Sequence, residues 1–248
     1  MGEGFEILKG KRYGRSIFLG QSGPYKLAMY RIQSKGNKAR KIISEKEDGN
    51  VYWKVVSTNE KENEANPRYL FYNILEARKN ILFLANGEHS LLISKLIDNP
   101  TLPSINALSI LMNCYEEKKE NIVDGIKLYS YEDDKHGTPR ISGVIMDKEM
   151  AFCRLLKDKE GKRCTMSSAH PLKRGQGNMI STYSGEIKPI LPSFTDSPIN
   201  INFEGSLEEI VMDFHNSSPP EFRVATAGML WSEAEGVVKE YIFNEDEN

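Results

Sequence analysis

Residues 13–57 read YGRSIFLGQSGPYKLAMYRIQSKGNKARKIISEKEDGNVYWKVVS, and this stretch decides the fold class. Four runs rich in Ile, Val, Phe and Tyr follow one another: Arg15–Leu19, Tyr25–Gln33, Lys41–Glu45 and Val51–Ser57. Turn formers separate them, at Gln21-Ser-Gly-Pro24, Lys35-Gly-Asn37 and Asp48-Gly-Asn50, so the reading is consecutive β-strands. An Asp-Gly pair between two such runs is a strong local hairpin signal. Two more strands are expected beyond the Asn66-Pro67 turn, at Tyr69–Glu76 and Ile81–Leu84.

Further along, the period changes. From Glu88 to Ile97 the apolar residues Leu91, Leu92 and Leu96 fall near helical spacing. From Ser104 to Lys119, Ile105, Leu108, Leu111, Met112 and Tyr115 form one stripe, which predicts an amphipathic helix. Ser104 is its expected N-cap, and Lys118-Lys119 suit its C-terminal dipole. Strands return at Arg140–Met146 and Ala151–Leu156. Residues 158–176 are polar and glycine-bearing and read as a hairpin with a long exposed loop, followed by a strand ending at Ile180–Tyr183. The proline-rich stretch 189–198 reads as a connector. Ser206 with Glu209 is a capping-box pattern before a helix reaching Asn216. Strands at Phe222–Ala227 and Val237–Phe243 follow, then a frayed acidic end. Segregated runs of strands and helices argue for an α+β fold of mainly antiparallel sheets, not a doubly wound parallel one.

Composition narrows the function. The chain has 248 residues, 39% of them hydrophobic and 27% charged, suited to a folded protein with a substantial core. Thirty-three basic residues against 35 acidic ones leave a net charge of −2, without the basic excess of a nucleic-acid binder. No run approaches the ~20 apolar residues of a membrane span, and the first residues match neither a secretory signal nor a myristoylation site. Cys114, Cys153 and Cys164 lack zinc-ligand spacing and read as free thiols in a reducing cytoplasm. The four histidines are scattered, so no metal site is expected. No Rossmann or P-loop motif is present; Gly175-Gln-Gly177 alone hints at a phosphate loop.

Four polar islands stand at strand or turn ends: Tyr30-Arg-Ile-Gln-Ser-Lys35 with Arg40; Asn66-Pro-Arg-Tyr-Leu-Phe-Tyr-Asn73; Asn86-Gly-Glu-His89; and Tyr131-Glu-Asp-Asp-Lys-His-Gly-Thr-Pro-Arg140. Read singly, each has an ordinary explanation. Arg40 sits in the basic run 38–41, Tyr72 suits a core strand, and Glu132 is one of three adjacent carboxylates. Asn86-Gly87 suits a plain turn, and Arg140 a structural bridge to Glu132 or another carboxylate.

In their order and spacing, together with Tyr13-Gly14-Arg15 before them and Ile180-Ser-Thr-Tyr183 after, the islands resemble the archaeal-type IMP cyclohydrolase family over roughly residues 13–185. The resemblance implies a four-layer αββα sandwich of the Ntn-hydrolase type, with a single domain over 13–243 between an N-terminal extension (1–12) and an acidic tail (244–248). It implies closure of 5-formamidoimidazole-4-carboxamide ribonucleotide to IMP without a cofactor, on a purine ribonucleotide as the only ligand; a homo-oligomer is left open. Arg40, Tyr72 and Glu132 match the family's active-site residues, and Arg31, Ser34, Lys35, Asn73, Asn86, His89, Thr138 and Arg140 are the expected substrate contacts. Lys35 departs from the arginine usual in the family and loses its bidentate fork. The competing readings are an amide hydrolase of the same fold, for which the first strand offers only Ser16 as nucleophile, and a non-catalytic purine-nucleotide-binding protein.

Overall fold

A computed structural model describes residues 4–36, 38–59, 72–98, 106–123, 125–134, 136–186 and 191–245. The strands are β1 (Arg15–Ser22), β2 (Tyr25–Gln33), β3 (Arg40–Glu47), β4 (Asn50–Ser57), β5 (Asn73–Ala77), β6 (Ile81–Ala85), β7 (Ile122–Val123), β8 (Ile126–Lys127), β9 (Arg140–Met146), β10 (Glu149–Lys157), β11 (Arg163–Pro171), β12 (Gln176–Ser181), β13 (Ile199–Asn202), β14 (Arg223–Ser232) and β15 (Gly236–Asn244). The helices among the described residues are α1 (Ser90–Ile97), α2 (Ala107–Cys114) and α3 (Leu207–Asn216).

Two large antiparallel sheets form, in the orders β13-β12-β1-β2-β14-β15 and β11-β10-β9-β6-β5-β4-β3. Strand alternation sends Ile17, Leu19, Tyr30 and Ile32 from the first sheet to meet Trp53, Leu75, Leu84 and Ile141 from the second in one inter-sheet core. The opposite faces carry the helices. Leu207, Ile210, Val211 and Phe214 of α3 cover Phe18, Leu27 and Met29, while α1 and α2 cover Phe83, Val144 and Cys153. The result is an α+β sandwich with helices outside both sheets. Each fully buried Leu, Ile or Phe contributes roughly 1.5–3 kcal/mol through removal from water.

Some local expectations are corrected. Ser104 lies outside the described residues, and α2 is capped by Asn106, whose Oδ1 accepts from the Ser109 amide at 2.9 Å. This helix stops at Cys114, so Lys118 and Lys119 do not serve its C-terminus; Lys119–Asn121 is a separate 3-10 turn. Residues 163–171 are not loop but β11, paired residue for residue with β10 from Lys157↔Arg163 to Glu149↔Pro171. As an edge strand with no fully buried position it needs no apolar run, which is why its sequence reads as loop. In the stretch 189–198, positions 189 and 190 fall outside the described residues, while Phe194 is fully buried and Ser193 bridges Tyr183. β13, unexpected from sequence, follows directly. Gly177 holds no phosphate loop: it lies in β12, where a Cβ would stand 2.2 Å from the Phe18 ring. The chain ends are docked where they are described. Phe5 and Leu8 pack under α3, Asn244 bonds both backbone groups of Ile42, and Glu245 pairs with the buried His215 at 2.6 Å.

Candidate active site

The antiparallel pairing gathers the polar islands at one end of the sandwich. Arg15 at the start of β1 stands opposite Ile32 near the end of β2. Arg40, opening β3, faces Ser57, closing β4, and the start of β9 runs beside the end of β6 through Ala85↔Ser142. Between these strand ends lies a cavity of about 730 Å³, within the usual range for small-molecule sites. Its wall includes Arg15, Arg40, Tyr72, Glu132, Arg140 and Tyr183.

The groups at its centre interact electrostatically. Burial raises the Glu132 pKa, Arg15 and Arg140 oppose that rise, Asp134 adds to it, and Arg40 opposes it. Among the described residues no ion pair engages the Glu132 carboxylate. Arg15 is penalised by burial but is held firmly charged by Tyr72, Glu132, Tyr30 and Tyr183. Burial and then the neighbouring Arg15 depress the Arg40 pKa, and Tyr72, Tyr30 and Glu132 partly restore it. Tyr30 is fully buried behind this group; its hydroxyl has no well-formed hydrogen bond among the described residues, and burial followed by Tyr72 raises its pKa. Two cations, a carboxylate and the Tyr72 phenol therefore share one pocket with Tyr30 buried behind them, and partial burial strengthens their interactions relative to bulk water.

The loop carrying Glu132 is built by Asp134. Its Oδ1 accepts from the amides of His136 at 3.1 Å and Thr138 at 2.8 Å, and its Oδ2 accepts from the Thr138 hydroxyl at 2.6 Å. Burial opposes ionisation of Asp134, and these donors more than offset it, so its pKa is lowered. Because the Thr138 proton goes to Asp134, the Tyr183 hydroxyl donates to Thr138 Oγ1 at 3.2 Å. The Glu132 amide closes the loop on the Thr138 carbonyl at 3.0 Å.

A family model described as IMP cyclohydrolase-like protein matches residues 13–235. The chain belongs to that family. No curated protein matches it. The matched span includes every residue named on the cavity wall above.

Within this IMP cyclohydrolase-like chain, Arg40, Tyr72, Glu132, Ser34, Thr138 and Arg140 line the cavity, whereas Arg31, Lys35, Asn73, Asn86 and His89 do not. Arg31 alternates with Tyr30 and Ile32 and so points to the opposite face of the sheet. There its Nη1 donates to the Phe214 carbonyl at 2.5 Å and the Ser217 hydroxyl at 2.7 Å, and its guanidinium stacks 4.0 Å above the Phe214 ring. Lys35 is exposed in the turn before β3. Asn73 opens β5 directly after Tyr72 and pairs with Lys54. Asn86 and His89 are fully buried, bonded to the backbone around Arg140. Conversely Arg12, Arg15 and Tyr183 stand on the wall without having been singled out. Arg15 and Tyr183 belong to quoted motifs, yet only strand pairing shows that they face the pocket. Ser16, the one candidate nucleophile of the first strand, is fully buried on the other face. Among the described residues no group of three His, Cys, Asp or Glu side chains is placed to hold a metal, and no helix is long and apolar enough to cross a membrane.

Proposed function

We propose that this protein closes 5-formamidoimidazole-4-carboxamide ribonucleotide to IMP with loss of water. The observation that carries the reading is the meeting of Arg40, Tyr72 and Glu132, from three separate segments, on one cavity beside Arg15. Family membership supports the same reaction class, and the helix-flanked pair of antiparallel sheets supports an Ntn-hydrolase-like origin. Three free cysteines suit a cytoplasmic enzyme.

The reaction needs no external reactant. The carboxamide nitrogen attacks the formyl carbon and a C–N bond forms. The formyl C–O bond then breaks as the ring C=N bond forms, and the oxygen leaves as water with the balance of one proton from the carboxamide nitrogen and one from the formamido nitrogen. An amide nitrogen is a weak nucleophile, so the pocket must hold it in a near-attack geometry. Glu132, made more basic by burial, accepts a proton from that nitrogen as the bond forms. Arg15 and Arg40 stabilise the charge growing on the formyl oxygen, and Tyr72 donates a proton towards it as water departs. Arg12, on the wall with Ser34, has a buried Nε without an acceptor and suits the phosphate.

Purified protein is incubated with the formamido ribonucleotide while IMP absorbance is followed, with and without a chelator. Chelator-insensitive IMP formation is expected. No IMP from folded protein would sink the ring-closing reading, and tight IMP binding without turnover would favour a nucleotide-binding protein. Chelator sensitivity would overturn metal independence.

A further inference from the structure

The turn from β6 into α1, Asn86-Gly-Glu-His89, sets the side chains of Asn86 and His89 against the segment around Arg140. Asn86 Nδ2 donates to the Pro139 carbonyl at 2.9 Å, and its Oδ1 accepts from the Ile141 amide at 2.7 Å. One side chain thus ties the peptide groups on both sides of Arg140. His89 Nε2 lies 3.2 Å from the Ile141 carbonyl. A carbonyl has no proton to give, so Nε2 carries the hydrogen and Nδ1 keeps a lone pair. That lone pair faces Arg140 Nη1 at 3.5 Å, while Arg140 Nε donates to the Ser130 carbonyl at 2.8 Å. The guanidinium is therefore gripped at one edge, and Arg140 also lines the cavity.

Gly87, also on the cavity wall, lies between Arg140 and Glu132. A Cβ on Gly87 would stand 3.2 Å from Arg140 Nη1 and 3.3 Å from Glu132 Oε1. A charged donor and a charged acceptor thus stand on either side of Gly87, all three lining the cavity, and no hydrogen-bonded ion pair joins them. Each keeps bonding capacity for a third group. A planar primary carboxamide fits both, its oxygen accepting from Arg140 and its N–H donating to Glu132. A carboxylate satisfies the arginine but sets its charge against Glu132.

We propose that the Asn86–His89 turn positions Arg140, and that Arg140 and Glu132 together select a primary carboxamide on the substrate ring. The ring's identity rests on the ring-closing reading; the grip of His89 on Arg140 does not. His89 is a positioning residue, acting through Arg140.

The test uses calorimetry at pH 8 with two nucleotides that lack the formyl group, 5-aminoimidazole-4-carboxamide ribonucleotide and its 4-carboxylate counterpart. The carboxamide is expected to bind at least about tenfold tighter, since the wrong group leaves a buried charge unpaired or opposed. His89→Asn places an acceptor near the position of Nδ1 and should keep most of this preference. His89→Gln reaches towards the Ile141 carbonyl but offers Arg140 no lone pair, and should lose it, with thermal melting confirming that both variants fold. A role limited to filling the core would move the melting temperatures without separating the two variants in preference. Nitrogen NMR of the wild type should show His89 as the neutral Nε2–H tautomer. Equal binding of the two nucleotides would overturn the selection while leaving ring closure standing; binding of neither would overturn both. Equal loss in the two folded variants, or an Nδ1–H tautomer, would overturn the grip on Arg140.

Discussion

Replacing Gly87 by alanine perturbs the pocket by a single methyl group. Its position is set by the backbone: the new carbon would meet Arg140 Nη1 at 3.2 Å, Glu132 Oε1 at 3.3 Å and His89 Nδ1 at 3.5 Å. Gly87 is not among the residues with positive φ, so alanine meets no backbone strain there. Restricting the unfolded chain would by itself stabilise by about 0.4–1 kcal/mol, and the tight contacts offset a similar amount, so the net change in stability should stay within about 1 kcal/mol. Activity should respond far more. Arg140 is held at Nε by Ser130 and faces His89 at Nη1, so the Glu132 carboxylate is the group that yields, by a few tenths of an ångström. A displacement of 1 Å in a reacting group costs about a hundredfold in rate; the smaller shift should lower kcat/KM about tenfold. The assay pairs thermal melting with IMP formation. Wild-type kcat/KM in Gly87→Ala would refute the placement of Glu132 and Arg140 around the reacting amide, and so would an activity loss that merely follows a collapse in melting temperature.

Three further outcomes are expected. Tyr72→Phe should lower kcat at least about tenfold with little change in IMP affinity, because the hydroxyl is assigned to the departing water; unchanged turnover would return Tyr72 to the core. Glu132 has its folded pKa raised above the ordinary 4.5 by burial, so ionisation disfavours the folded state at neutral pH, and that penalty is relieved as pH falls through the folded pKa. Glu132→Gln should therefore melt higher than wild type at alkaline pH, with the difference shrinking on acidification; a difference that is constant or grows on acidification would contradict the electrostatics. Arg31→Met should keep KM within about twofold and leave the melting temperature unchanged or raised. Burial lowers the Arg31 pKa to about 9, its Nε and Nη2 lack acceptors, and replacing such a buried charge by an apolar group of similar length is often neutral or stabilising. A large rise in KM would place Arg31 in the pocket after all.

Much of the fold was legible because two periodicities carry it. The runs within 15–33 and 41–57, rich in Ile, Val, Phe and Tyr and divided by turn formers, announce strands, and Ser206 with Glu209 announces α3 through a capping box that forms as expected. Legibility failed where burial was partial or partners were remote. β11 presents one polar edge and needs no apolar signature, and α2 ends at Cys114, short of the lysines that suggested its C-terminus. Within the site, family motifs marked the right segments but not the direction of each side chain. Tyr30 and Arg31 are adjacent in sequence, yet one backs the pocket and the other is buried beneath α3.

By itself the sequence determined the fold class, the absence of a basic surface excess, and the polar islands from which the pocket is built. These are properties of local periodicity and of composition, which neighbours along the chain suffice to specify. Only the tertiary structure decided which islands meet and what each residue in them faces. Antiparallel pairing brings Arg15, Arg40, Tyr72, Glu132 and Arg140 to one end of the sandwich, and strand alternation turns Arg31 away from it. It also gave Asn86 and His89 their present partners, since a hydrogen bond across more than fifty residues depends on register between β6 and β9, which no local pattern encodes.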